Sequence, residues 1–250
     1  MNKIKISAVS YTNTLPFLQG INSSEIKDAI ELTVDVPAEC ARKVIADEVD
    51  LGIIPVAGLS RLDNYHIITD YCIGSDGAVD SVFIFSNKPI TEVKTLRLDR
   101  QSRTSNGLAR ILLKHYWKID VDVVMDGEAD AYVLIGDRTF GKKESVPYVY
   151  DLGEEWKNFT GLPFAFAVWV ANKELPIEFI TEFNRALADG VQRIDELIPS
   201  LPVFDNFDYD DYLKSKLDFN LTDAKREAIS KYLAYYKELE TIDFNATINT

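Results

Sequence analysis

Hydroxyl and amide side chains crowd two short stretches of this chain. Ser10-Tyr11-Thr12-Asn13-Thr14 follows the alternating residues Ile4, Ile6 and Ala8, and Pro16 comes next but one. Ser102-Arg103-Thr104-Ser105 follows Thr95-Leu96-Arg97-Leu98-Asp99 and runs into Leu108, Ile111, Leu112 and His115. The alternation predicts strands and the later spacing a helix, while Pro16 suits a helix's first turn. A strand that opens through a polar turn into a helix gathers side-chain donors and free backbone N–H groups at one point. That is where open α/β sheets bind anions and small ligands. Capping of the following helix would account for such turns as well.

Charge limits what such a site can use. The 250 residues carry 27 Lys and Arg against 40 Asp and Glu, a formal charge of -13. A non-specific nucleic-acid surface is therefore not expected. The same charge repels anions at long range, so an anion site must rely on local dipoles and a few placed donors. Cys40 and Cys72 form no CxxC pair, and His66 and His115 sit in no ligand cluster, so no metal, redox or other cofactor is expected. No apolar run is of membrane-spanning length, and the chain enters a strand without an apolar leader. The expected location is the cytoplasm, without a membrane partner.

The elements that position the two turns repeat as β-α-β. In the first half, Ile30, Leu32, Val34 and Val36 alternate, Pro37 opens a helix, and Leu51-Gly52-Ile53-Ile54-Pro55 reads as a strand covered on both faces. Val82-Phe83-Ile84-Phe85 is a further strand. The second half offers Ile119, Val121 and Val123, the run Tyr132-Val133-Leu134-Ile135, a short helix around Trp156, and Phe164–Val170. Asp47-Glu48-Val49-Asp50 before one buried strand matches Gly127-Glu128-Ala129-Asp130 before another, which suggests two lobes on one plan. Helical spacing from Phe179 to Ile194 and from Ile229 to Leu239, the latter capped by Thr222, completes the chain. With Val82–Phe85 and Ala165–Val170 as hinge strands, residues 1–86 and 171–250 form one lobe, 87–170 the other, and the final helices pack on the first. The expected class is α/β, a two-lobed periplasmic-binding-protein-like (type 2) fold with a ligand cleft between the lobes.

Six stretches in order resemble the motifs of one family. They are Ser10–Pro16, Leu51–Val56, Ser75–Val82, Ser102–Ser105, Ile135-Gly136-Asp137 and Thr160–Trp169, and the family is that of the chorismate dehydratases of the futalosine route to menaquinone. The resemblance is close from Lys3 to Lys173 and holds only in outline beyond. It implies a cytoplasmic enzyme that takes chorismate as its small-molecule substrate and removes water to give 3-[(1-carboxyvinyl)oxy]benzoate. It implies Asn13 and Ser81 as catalytic residues, with Ser10, Tyr11, Ser102, Arg103, Thr104, Ser105, Gly136 and Asp137 around the substrate. Thr12 stands where an aliphatic residue is usual, and Leu15 where a basic one is frequent.

Each of these residues also has a structural reading. Asn13 fits a helix cap and Ser81 a strand position; Arg103 could pair with Asp99 or clamp a carboxylate. None of the six motifs holds a His, Lys or Cys in an evident base position. The expected base is therefore the substrate's own enolpyruvyl carboxylate, with Asp76, Asp80 and Asp137 as alternatives if burial raises their pKa. Asp76 could equally form an Asp-Gly turn, and Asp137 cap a helix. A cytoplasmic protein that binds or senses a small carboxylate without chemistry would share these features. The oligomeric state is not legible in the sequence.

Overall fold

A computed structural model describes residues 3–248. Among them, β1 (Ile4–Val9), β2 (Ile30–Asp35), β3 (Leu51–Pro55), β4 (His66–Ser75) and β10 (Phe164–Ala171) form one sheet in the order β2-β1-β3-β10-β4. A second sheet holds β5 (Val82–Ser86), β6 (Thr95–Arg97), β7 (Asp122–Val124), β8 (Ala131–Ile135) and β9 (Tyr148–Asp151) in the order β7-β6-β8-β5-β9. In each, the first three strands are parallel and the fourth runs antiparallel to its neighbours. All five residues of β3 and all eight of β10 are buried, as apolar runs covered on both faces require.

The two sheets share one plan, as the paired acidic stretches suggested. Asp50, just before β3, accepts from the Lys5 N–H at 2.8 Å and pairs with Lys173 at 2.6 Å. Asp130, just before β8, accepts from the Lys94 N–H at 2.8 Å and pairs with Lys88 at 2.6 Å. Lys173 and Lys88 each lie two residues past the antiparallel strand of their own sheet, each after an asparagine. One carboxylate thus pins the same three strands in both sheets.

The change of sheet differs in place from the expected one. β5 lies wholly in the second sheet and β10 wholly in the first, so the chain changes sheet within 76–81 and 152–163, ahead of the boundaries after 86 and 170. Both strands are continuously apolar, which marks burial without saying which sheet buries them.

Helices flank both sheets. α1 (Leu15–Ser23), α2 (Pro37–Ile45) and α3 (Arg103–Ile111) follow β1, β2 and, through a polar turn, β6; α3 continues as a π turn over Leu112–Trp117. α4 (Leu152–Thr160) leads into β10 and α5 (Ile177–Gln192) packs on α1. At that crossing the backbones touch: a Cβ on Gly20 would lie 1.9 Å from the Ala186 carbonyl oxygen, and one on Gly190 1.9 Å from that of Pro16.

After α6 (Ile194–Leu197), a single turn α7 (Tyr209–Asp211) passes into a π turn at Tyr212–Lys216, then α8 (Asp223–Ile248) ends the described chain. These last elements do not keep to the first lobe. Phe207 stacks on Phe140 of the second half, at 3.7 Å between ring centroids. α8 packs on β10 and also on α3, where the Tyr232 hydroxyl donates to the Thr104 carbonyl oxygen at 3.1 Å. An amphipathic pattern shows that a helix is buried on one side, but not against which neighbour.

Candidate active site

The loop between β4 and β5 is held at several points. The Asp151 carboxylate, at the N-cap of α4, accepts from the backbone N–H groups of Val79 and Asp80 at 3.0 and 2.7 Å, and also from those of Gly153 and Glu154. Burial pushes its pKa up to about 6 against the pull of these bonds. Asp80 takes a left-handed backbone, φ 60°, and its carboxylate pairs with Lys143. The next residue, Ser81, is 1% exposed, and its carbonyl oxygen accepts from the Gly136 N–H at 2.8 Å. The Ser81 side chain is thereby aimed into a cleft between the two sheets.

That cleft and its mouth contain about 550 Å³ of space not filled by atoms, open solvent included. Asn13, Ser81, Ser102, Thr104 and Ser105 supply its polar side chains, together with Tyr11 and Thr14, and Gly136 lines it with backbone. Val79, Val82, Ile135, Phe166 and Ala167 are among its apolar walls. No His, Lys, Arg, Cys, Asp or Glu lines it among the described residues.

Tyr212, which sequence reasoning passed over, completes the polar centre. Its hydroxyl donates to Ser81 Oγ at 3.0 Å, with the Asn13 side chain also acting on it. Full burial raises the phenol far above its ordinary range, so it stays protonated and serves as a donor. Nothing in its spacing separates it from Tyr209 three residues earlier; the π turn that rotates it inward is invisible to periodicity. Ser102 caps α3, its Oγ accepting from the Ser105 N–H at 3.1 Å and donating to Ser105 Oγ at 2.8 Å. Thr104 Oγ1 accepts from the Ala57 N–H at 3.1 Å. The opening N–H groups of α3 have no intrahelical acceptors and give this end of the cleft a positive dipole.

Other expected site residues lie elsewhere or do something else. Ser10 is exposed and extends the β1–β2 ladder, its N–H donating to the Asp35 carbonyl. Arg103 lines an adjoining groove and does not pair with Asp99, which Arg138 holds at 2.7 Å. Asp76 pairs with Lys157 at the surface. Asp137 is not in the cleft wall; it accepts from the Thr12 N–H and, at 2.9 Å, from Thr12 Oγ1.

That bond joins the halves of the molecule, and so does Tyr11, whose hydroxyl donates to Gln101 Oε1 and whose ring covers Gly136. At φ 64°, with the Tyr11 ring 2.8 Å from where a Cβ would lie, Gly136 has no room for a side chain. Burial raises the Asp137 pKa, the Thr12 bonds opposing it. A carboxyl whose folded pKa is raised contributes stability below its unfolded value and loses it as pH rises through the folded one. Asp137→Asn is therefore expected to melt higher than the parent at pH 7, with the gap closing toward pH 4. Parallel thermal melts check this, and a lower melting temperature for the variant at pH 7 would refute it.

Residues 4–238 match a family model described as menaquinone biosynthesis. A chorismate dehydratase from Thermus thermophilus is 27% identical over 192 residues, 65% of this chain and 69% of that protein. Among solved structures, a protein from Archaeoglobus fulgidus superposes with a TM-score of 0.68 at 16% identity, over 96% of this chain and 98% of the other. A Candida albicans protein described as having the generic periplasmic binding protein fold superposes with a TM-score of 0.52 at 15% identity, over 91% and 80%. At such identities these two structures speak to the fold alone, and the fold is the two-lobed periplasmic-binding-protein architecture.

Proposed function

The chain belongs to the menaquinone-biosynthesis family, and on that footing we propose that it is a chorismate dehydratase. It converts chorismate to 3-[(1-carboxyvinyl)oxy]benzoate, the entry step of the futalosine route, in the cytoplasm and without a cofactor. The supporting observation is the meeting of the Ser81 hydroxyl, the Asn13 amide and the Tyr212 hydroxyl in a cleft whose walls hold no ionisable base.

The chemistry asks little else of the protein. The ring proton beside the enolpyruvyl oxygen is vinylogous to the ring carboxylate. Its removal gives a dienolate that expels the neighbouring hydroxyl, and the ring becomes aromatic. Aromatisation drives the reaction, so the site has to orient the substrate and stabilise developing negative charge. Ser81 and Asn13 donate to the dienolate and a carboxylate, and the first turn of α3, with Ser102, Thr104 and Ser105, receives the other carboxylate. The enolpyruvyl carboxylate accepts the ring proton and returns it to the departing hydroxyl, so that one water leaves. No cleft-lining group competes for that role.

Tyr212 acts through Ser81 and Asn13 and is a positioning residue. Its removal as Tyr212→Phe is expected to lower kcat about tenfold, the size of one lost orienting hydrogen bond, with KM nearly unchanged. A rise in KM at constant kcat would assign Tyr212 to ground-state binding instead.

The function is tested by following the ultraviolet spectrum of chorismate with the purified protein and no added metal or nucleotide, then weighing the product. Loss of one water with a benzoate spectrum is expected. Binding without turnover would replace the dehydratase reading with a carboxylate-binding one, and neither would remove chorismate as the ligand.

A further inference from the structure

Behind the first turn of α3 lies a second concavity, a groove of about 830 Å³ open to solvent. Four of the chain's ten arginines line it: Arg42, Arg61, Arg100 and Arg103. Two are neutralised, Arg42 by Glu39 and Glu48, and Arg100 by Asp126. Arg61 and Arg103 form no ion pair with a carboxylate among the described residues. In a chain with 13 more acidic than basic groups, two arginines left unpaired on one concave wall are unusual. Their field reaches inward. Burial and Glu240 push the Tyr236 phenol up, and Arg103, Arg61 and Arg110 pull against them.

The groove adjoins the cleft across Pro55 and the first turn of α3. Pro55 lines both, and Ser102 and Thr104, which flank Arg103 in sequence, line the cleft. Alternate residues of one helical turn thus face the two spaces.

We propose that this groove is a second anion site, which takes small dicarboxylates from solution at the cleft's threshold. Guanidinium groups bind carboxylates through paired N–H donors. Two of them on one wall suit two carboxylates on one small molecule better than one. An anionic ligand approaching a protein of charge -13 meets repulsion everywhere except at such a local reversal of sign. Its service to the cleft rests on the dehydratase reading; its capture of dicarboxylates does not.

The test is a titration of arginine-labelled protein with isophthalate, followed through the side-chain Nε–H signals in NMR. Saturable shifts at Arg61 and Arg103 are expected, with benzoate binding at least about fivefold more weakly and Arg61→Gln weakening the response at Arg103. Shifts that rise without saturation, or that match those of the exposed, Glu182-paired Arg185, would overturn the proposal. No turnover enters this measurement, so a protein that fails to dehydrate chorismate can still pass it. The coupling to the cleft is read separately: Arg61→Gln is expected to slow chorismate association about tenfold at low salt and to flatten its dependence on ionic strength. An unchanged rate and salt slope would confine the groove to binding and remove its service to the cleft.

Discussion

Ser81→Ala is expected to reduce kcat for chorismate dehydration by about 10²–10³-fold, the usual loss when one donor to a developing oxyanion is deleted. The backbone should stay in place, because its restraints come from Asp151 on one side and Gly136 on the other and involve no part of the Ser81 side chain. The variant does deprive the buried Tyr212 hydroxyl of its Ser81 acceptor and leaves it the Asn13 side chain, so a stability loss of about 1 kcal/mol accompanies the kinetic one. A double-mutant cycle separates the two effects. In Ser81→Ala/Tyr212→Phe the hydroxyl is gone and part of the stability returns, while any fall in kcat below that of Ser81→Ala measures the share of Tyr212 that acts through Asn13. Asn13→Ala should match Ser81→Ala in kcat. Near-parental activity in either single variant, with an unchanged circular-dichroism spectrum, would remove that residue from the mechanism.

Gly190→Ala is the substitution expected to damage the fold most. The new methyl would lie 1.9 Å from the Pro16 carbonyl oxygen and 2.8 Å from the Gly20 nitrogen, both backbone atoms that no rotamer change can move. α1 and α5 must separate by more than an ångström, at a cost of about 3 kcal/mol or more. For a chain of this length that lowers the melting temperature by about 6–12 °C. Activity should fall as well, because the turn at the head of α1 carries Asn13, and displacements of an ångström are felt in catalysis. Gly127→Ala is the control. Its Cβ meets nothing within 4 Å, so only the left-handed φ of 88° opposes the change, by about 1–2 kcal/mol. Equal melting temperatures for the two variants would show that the helix crossing has slack that its geometry denies.

Local structure was largely legible because the chain states it locally. Ile4, Ile6 and Ala8 alternate and form β1; Pro16 and Pro37 sit in the first turns of α1 and α2; Thr222 Oγ1 accepts from the Lys225 N–H at the start of α8. The likeness of the stretches ending at Asp50 and Asp130 pointed to a repeated plan, and the same strand pinned twice is its physical content. What stayed hidden depends on partners distant in sequence. The sheets that claim β5 and β10, the second-lobe contacts of Phe207 and α8, and the π turn that delivers Tyr212 leave no periodic trace. Side-chain direction failed for the same reason: Arg103 sits in the polar turn the sequence singled out, but the helix that begins there turns it away from the cleft its neighbours face.

The contacts Thr12–Asp137, Tyr11–Gln101 and Tyr11–Gly136 bridge the two halves of the molecule beside the cleft. If a molecule as large as chorismate enters only after they part, capture is gated. Its observed rate should climb with concentration and then level off at the frequency with which the lobes open, whatever the affinity of the groove outside. Loosening the latch, as Thr12→Val would by removing the hydroxyl donor to Asp137, would raise that plateau and leave the chemical step alone. At low substrate concentration such a protein would be limited by its hinge, and selection for faster capture would act on residues that never touch the substrate.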